Sequence, residues 1–317
     1  MPTPYLIDAD MALDDWMAIL YLLRNPQADV KAITIAATGE AHASPGVRNA
    51  LRLLSLAEHP VIPVAAGSSL PLRGEHVFPG LVRLMMDRHL FLKLPPARGA
   101  AADADAVRLI ISLLEQAEEA VGVVALGPLT NLAQVVKQHP HLAAKVAGVT
   151  MMGGALDVPG NIQSVNARID NPYAEWNVYI DPYAANIVFG SGIPVTLVPL
   201  DATNQVPLSK GYLEQMMSIK GVPVLEFISR ALRFIQRLSS GERTFYFWDP
   251  LAAVVCLHPE IAAFEQRRVR VVEAEGRESG RVVEAEDGAL VRICTRVERE
   301  SFERLYLEGM AGKVSGK

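Results

Sequence analysis

The residues best equipped for chemistry are acidic and crowded near the start of the chain. Asp8, Asp10, Asp14 and Asp15 put four carboxylates within eight residues, in Leu6-Ile7-Asp8-Ala9-Asp10-Met11-Ala12-Leu13-Asp14-Asp15-Trp16. Four such groups repel one another unless positive charge joins them. Hard cations such as Ca²⁺ and Mg²⁺ choose oxygen ligands, so a bound divalent ion is the chemistry this spacing suggests. Helix capping accounts for one or two of the four, because Asp is a common N-cap residue. It does not account for all of them. Asp8, read by itself, serves equally well as an acceptor that holds the loop in place.

Elements around the cluster must bring it to a ligand. Tyr5–Ile7 is a short apolar run ending at Asp8, and Asp14–Leu23 carries Trp16, Ile19, Leu20 and Leu23 at helical spacing. The same alternation continues. Strands are expected over Val30–Ala37, Val61–Ala65, Val121–Leu126, Val146–Met152 and Ile193–Pro199, with helices over Val47–Ala57, Ala104–Ala117, Pro182–Val188, Val222–Leu238 and Pro250–Cys256. Strand–helix alternation of this kind predicts an α/β fold: an open, mostly parallel central sheet with helices on both faces, Rossmann-like in its layering. Ligands of such sheets sit beyond the carboxyl ends of the strands, where the acidic cluster falls. Arg267–Val297 differs, alternating apolar and polar residues around Glu275-Gly276 and Asp287-Gly288. It is expected to form two or three antiparallel strands, a small extension near the C-terminus. No linker, repeat or low-complexity run divides residues 1–317, so one domain is expected.

Composition narrows the class. The chain has 317 residues, half of them hydrophobic, and a net charge of −5, so a large core is available and no basic face advertises a nucleic acid. Cys256 and Cys294 form no CxxC pair and show no Cys–His metal-ligand spacing, which fits a reducing compartment. The N-terminus lacks the pattern of a signal peptide and no stretch is long enough to span a bilayer. A cytoplasmic enzyme with no membrane partner is the expectation.

Six segments in order, over about 240 residues, resemble the inosine-uridine-preferring nucleoside hydrolase family. That family opens with D-x-D-P-G-x-D-D, matched here by Asp8 to Asp15 in all four carboxylates but not in the Pro-Gly. Gly127-Pro128-Leu129-Thr130-Asn131 looks like its G-P-L-T-N, Met152-Gly153-Gly154 like its M-G-G, and Gly160-Asn161 with Glu175-Trp176-Asn177 like its G-N and E-F-N. Asp181-Pro182-Tyr183-Ala184-Ala185 and Asp249-Pro250-Leu251-Ala252 look like its D-P-x-A-A and D-P-L-A. The resemblance implies Ca²⁺ held by Asp10, Asp15, Asp249 and the Thr130 carbonyl. Asp10 would take a proton from water. Asp14 would hold the ribose 2′-hydroxyl, Asn161, Glu175 and Asn177 its 3′- and 5′-hydroxyls, and Met152 would line the sugar. It also implies a ribonucleoside as partner and a homo-oligomer, dimer or tetramer. Cleavage of an N-glycosidic bond passes through an oxocarbenium-like sugar, which carboxylates stabilise electrostatically.

Each segment also has a plainer reading. Gly127-Pro128 and Gly160-Asn161 serve as turns, Thr130 as a cap, Met152 as core, and Asp249 as an N-cap with Pro250 at N1. Glu175 and Asn177 alternate around Trp176, so they would point together while Trp176 packs elsewhere.

Two departures bear on the leaving base. Many relatives place His before the last metal-binding Asp, where this chain has Trp248. That resembles the purine-preferring branch, in which the indole stacks on the purine and favours its protonated form. Purine ribonucleosides such as inosine, guanosine and adenosine are therefore the expected substrates, with a broad or pyrimidine-accepting hydrolase as the alternative. A second aromatic is expected from Arg73–Pro79, where His76 or Phe78 would stack on the base, and the loop from Gly241 to Tyr246, with Arg243, would close over it. Glu40 stands where many relatives have Asn, and is either a substrate contact or an exposed residue. Outside the family, a phosphohydrolase with Asp8 as nucleophile lacks its later Lys and acidic pair. A non-catalytic ribonucleoside binder would not need the acidic cluster.

Overall fold

A computed structural model describes residues 2–88, 92–238 and 244–312. Nine strands form one sheet: β1 Thr3–Ala9, β2 Ala28–Ile35, β3 Val64–Ala66, β4 Val121–Ala125, β5 Val146–Met152, β6 Val195–Val198, β7 Ala262–Val271, β8 Val282–Glu284 and β9 Ala289–Val297. Their order is β3-β2-β1-β4-β5-β6-β9-β7-β8. The first six strands are parallel, and β9 continues the parallel set through Thr196↔Arg292 and Leu197↔Ile293. Only β7 runs antiparallel, to β8 and β9. The expected antiparallel extension is thus part of the main sheet. The α/β class, the mostly parallel sheet and the small antiparallel part agree with the sequence reading.

The strand order reverses between β1 and β4. Chains that leave β1 and β4 turn away in opposite directions there, which opens a crevice at their carboxyl ends. Asp8 lies near the end of β1 and Asp10 just beyond it, and Leu126 and Gly127 follow β4. The backbone joins them: Leu126 N–H donates to the Asp8 carbonyl at 2.8 Å, and Ala36 N–H to the Ala9 carbonyl at 2.8 Å.

The helices that matter to this crevice are α1 Leu13–Arg24, α2 Ala43–Leu56, α3 Gly80–Asp87, α4 Ala106–Gln116, α5 Thr130–Gln138, α6 Ile162–Val165, α7 Trp176–Ile180, α8 Pro182–Phe189, α9 Leu200–Thr203, α10 Lys210–Ser218, α11 Pro223–Leu238, α12 Trp248–Leu257 and α13 Arg299–Met310. Helix α1 buries nearly every side chain, from Leu13 to Leu23. It packs on the sheet, and Tyr21 stacks on Tyr306 of α13 at 5.7 Å. A helix walled in on several sides cannot shift without opening the core, so its first turn is a rigid mount for Asp14 and Asp15. Helices α10 and α13 lie in segments that the sequence pattern left unassigned. None of the described helices is long and apolar enough to cross a membrane.

Candidate active site

The loop between β1 and α1 is built around its own acids. Asp15 accepts from Asp10 N–H at 2.8 Å through Oδ1 and from Ala12 N–H at 2.9 Å through Oδ2. It thereby satisfies the N-cap N–H of α1, the one half of a capping box open to Ala12, which has no side-chain acceptor. Asp8 is spent inside the fold. Its Oδ1 accepts from Thr34 Oγ1 at 2.7 Å and Asn131 Nδ2 at 2.8 Å. Asp10 is buried where two chain segments come very close. A Cβ on Gly39 would overlap its carboxylate, and one on Gly127 would lie 2.8 Å from its Cβ. Met11 takes φ +69°, a left-handed backbone. Proline, locked near −65°, cannot adopt it, so the missing Pro of the family motif is accompanied by a different loop path.

Asp249 arrives from the far end of the chain on the first turn of α12. The N-cap of that helix is Phe247, not Asp249. The expected capping role is therefore absent, and the carboxylate is free for other work. Its Oδ1 is buried without a hydrogen-bond partner. Carboxylate oxygens of Asp14, Asp15 and Asp249 lie within 4.8 Å of one another. This set differs from the expected Asp10, Asp15 and Asp249 by including Asp14, although Asp10 lines the same cavity.

These acids are out of balance without a counter-ion. Burial pushes the Asp10 carboxyl up to about 7, aided by the charge of Asp14, and Asp14 itself up to about 6. Burial, then neighbouring carboxylates, hold Asp15, Asp249 and Glu40 well above the ordinary range. Converging hard oxygens, one of them orphaned, fit a divalent cation such as Ca²⁺.

The opposite wall is polar and uncharged in its donors. Glu175 caps α7, accepting from Asn177 N–H at 2.9 Å and Gly154 N–H at 2.9 Å, and burial raises its pKa to about 7. Asn177 Nδ2 donates to the carbonyls of Leu126 and Met152, both at 3.1 Å, which leaves its Oδ1 as an acceptor. Asn161 is the mirror case: its Oδ1 accepts from Trp176 N–H at 3.1 Å, which leaves its amide N–H groups as donors.

A cavity of about 190 Å³ joins these walls. It lies below the roughly 300–1,000 Å³ of ordinary ligand pockets, so it suits one small molecule. Asp10, Asp14, Asp15, Met152, Asn161, Glu175, Asn177, Trp248 and Asp249 all line it, as do Glu40, Phe78, Leu126 and Trp176. Two sequence expectations are corrected. His76 does not reach the cavity. Its ring stacks on Tyr179 at 3.9 Å, Nδ1 lies 2.6 Å from the Tyr179 carbonyl and Nε2 lies 2.9 Å from Glu275. Phe78 is the residue of that loop that lines the wall, stacked on Trp176 at 4.6 Å. Thr130 Oγ1 donates to Asp181 Oδ2 at 2.8 Å, and of the turn after β4 it is Leu126 that lines the cavity. Trp176 does not pack elsewhere, because Glu175–Asn177 starts a helix and the strand-like alternation fails. Gly241 to Arg243, of the second expected lid, fall outside the described residues.

Known proteins match this arrangement over nearly the whole chain. Residues 5–304 match the model of the inosine-uridine preferring nucleoside hydrolases. The pyrimidine-specific ribonucleoside hydrolase RihA of Klebsiella pneumoniae is 36% identical over 283 residues, covering 87% of this chain and 86% of the relative. A solved plant nucleoside hydrolase, the PpNRh1 enzyme, superposes with a TM-score of 0.87 at 28% identity, over 98% of this chain and 99% of its own. A purine-preferring ribonucleoside hydrolase from Gardnerella vaginalis gives 0.82 at 25% identity, over 98% of both chains. With an acid cluster at the switch point of the sheet and polar groups opposite, this chain belongs to the inosine-uridine preferring nucleoside hydrolase family, enzymes that hydrolyse the N-ribosyl bond of nucleosides.

Proposed function

We propose that the protein hydrolyses purine ribonucleosides to free base and ribose with the help of Ca²⁺. The observation that carries this reading is the convergence of Asp14, Asp15 and Asp249, with Asp249 Oδ1 unpartnered, beside Asp10 in one cavity. When bound there, the cation supplies positive charge that makes a nearby water more acidic. Asp10 accepts the proton of the attacking water. Asp14 accepts from the 2′-hydroxyl. Glu175 and the Asn177 Oδ1 accept from the 3′- and 5′-hydroxyls, and the Asn161 amide donates to them. Met152, at the end of β5, packs against the sugar. We assign the backbone oxygen of the cation site to Leu126 rather than Thr130, since Leu126 lines the cavity beside Asp10. Trp248 supplies a face for the base. Its ring is braced by Phe245 at 5.2 Å and Tyr246 at 5.8 Å, with Phe78 on the same cavity wall system.

A second reading, a pyrimidine-cleaving enzyme, is favoured by the 36% identity to a pyrimidine-specific relative. One assay separates them. Inosine, guanosine, adenosine, uridine and cytidine are each incubated with enzyme and Ca²⁺ in phosphate-free buffer, and free base and ribose are measured. Faster release from purine nucleosides, lost in Asp10→Asn, supports the purine reading. Faster release from uridine supports the second. No release from any nucleoside refutes both. A cytoplasmic homo-oligomer, dimer or tetramer, belongs to the same proposal and is tested by light scattering on the eluting protein.

A further inference from the structure

Phe78 reaches the cavity from a loop that is fastened to the body at four points. Leu72 N–H donates to Asp181 Oδ2 at 2.7 Å. Arg73 Nη1 pairs with Glu273 Oε2 at 2.7 Å, and its guanidinium lies over the Tyr183 ring, 3.7 Å from the centroid. His76 stacks on Tyr179 at 3.9 Å, with Nε2 2.9 Å from Glu275 Oε2. Phe78 stacks on Trp176 at 4.6 Å. Each point has a partner in the stretch from Trp176 to Tyr183, which follows Glu175 directly and contains Asn177. Beyond Phe78, α3 is tied down by Arg83, whose Nη2 donates to the carbonyls of Ala37 and Ala41 at 2.7 and 3.1 Å.

Two of these contacts come from the turn between β7 and β8, and neither Glu273 nor Glu275 lines the cavity. The turn is a firm mount. Glu273 Oε1 accepts from Asn186 Nδ2 at 2.7 Å, and Val272 N–H donates to the Arg281 carbonyl at 2.9 Å. Gly280 abuts α7 so closely that a Cβ there would lie 2.6 Å from Tyr179 Cα. The Glu275 carboxylate also lies against the loop backbone, since a Cβ on Gly74 would be 3.2 Å from its Oε1. Phe78 has no polar group of its own. Its place depends on the stack with Trp176 and on how firmly the chain on either side is held.

We infer that Glu273 and Glu275 are positioning residues for nucleoside binding: through Arg73 and His76 they seat the loop so that Phe78 walls the cavity, without touching the substrate. The inference rests on the hydrolase reading above. Partly exposed pairs of this kind are weak singly, so the loop is seated by their sum and opens when both are cut. A loop seated for only part of the time binds substrate more weakly in that proportion. Once substrate is in place the loop is seated, and the chemistry that follows is unchanged. The signature is a rise in KM at constant kcat.

The test uses the full chain with Glu273→Ala and Glu275→Ala combined, beside a second variant with Glu273→Gln and Glu275→Gln. Trypsin cuts between Arg73 and Gly74 only from an opened loop, so the rate of that cut, read by mass spectrometry without substrate, reports the opening equilibrium. It should rise by about tenfold in the Ala pair and stay within about twofold of the parent in the Gln pair, whose amides still pair with Arg73 and His76. KM for inosine, or for uridine if that is the better substrate, should rise about threefold or more in the Ala pair, with kcat within about twofold. In a Phe78→Ala background the same pair should move KM by less than about twofold, because the turn acts through Phe78. An unchanged tryptic cut in the Ala pair, a fall in kcat at constant KM, or the full rise in KM without Phe78 would each overturn the inference. If the unaltered protein cleaves no nucleoside, the hydrolase reading falls, and the tryptic cut still decides whether the turn seats the loop.

Discussion

Removing the divalent ion should make the stability of this protein depend on pH in a direction that most proteins do not show. Asp10, ordinarily ionising at 3.8, is raised to about 7, Asp14 from 3.8 to about 6, and Glu175 from 4.5 to about 7, in each case first by burial. A carboxyl with a raised folded pKa holds its proton more tightly in the folded state than in the unfolded one. Its contribution to stability is complete below the ordinary value and is lost as pH rises through the raised one. For Asp10 alone, displacement from 3.8 to about 7 costs about 4 kcal/mol on full ionisation, at 1.36 kcal/mol per pH unit. About two-thirds of that falls above pH 5. For 317 residues the entropy of unfolding is about 0.7 kcal/mol/K. The melting temperature in chelator should therefore fall by roughly 4–6 °C between pH 5 and pH 8. Ca²⁺ at 100 times its Kd contributes about 2.7 kcal/mol, or roughly 4 °C, at pH 8. At pH 5 protons compete for the same oxygens and the gain should shrink. The assay is thermal unfolding at pH 5, 6, 7 and 8 with EGTA or with Ca²⁺. Asp249→Asn serves as a control: it should raise the chelated melting temperature at pH 8 and cancel most of the Ca²⁺ effect. A pH-independent melting temperature in EGTA, or an equal Ca²⁺ gain at pH 5 and pH 8, would refute the argument that the buried acids and the cation form one linked system.

Three further outcomes follow from the packing of the site. Gly39→Ala drives a methyl group into the Asp10 carboxylate, so kcat/KM should drop by about 10²-fold, with a stability loss of about 1–3 kcal/mol read from urea unfolding. A kcat/KM within twofold of the parent would show that Asp10 is not held where the structure puts it. Trp248→Ala removes the stacking face, worth about 1–3 kcal/mol per base, so purine kcat/KM should fall by roughly 5- to 150-fold and uridine by less; equal losses would remove Trp248 from the account of specificity. Met11→Pro restores the family residue yet demands a φ that the left-handed loop forbids, and should destabilise by about 3 kcal/mol or more by denaturant titration; an unchanged midpoint would mean the loop adapts freely.

What the sequence by itself determined is local. Alternation of apolar strands and amphipathic helices specified the layered α/β fold, because hydrophobic period and β-branched content act within a few residues. Val146–Met152 emerges with the same limits in the sequence pattern and in the structure. Four acids in eight residues already implied a cation, since like charges at that density require one. Tertiary structure alone decided which groups meet. Asp249 joins Asp14 and Asp15 only because α12 packs against α1, a contact between opposite ends of the chain. His76 and Phe78 sit two residues apart on one loop, and only packing against Tyr179, Glu275 and Trp176 sorts one outward and the other into the cavity. Glu40 looked indeterminate between contact and exposure because nothing local records that its loop passes the carboxyl end of β1. Glu175, Trp176 and Asn177 misled because three residues cannot distinguish the alternation of a strand from the first turn of a helix. The helix begins there because Glu175 caps it through the N–H groups of Asn177 and Val178, while the fold brings the Gly154 N–H to the same carboxylate.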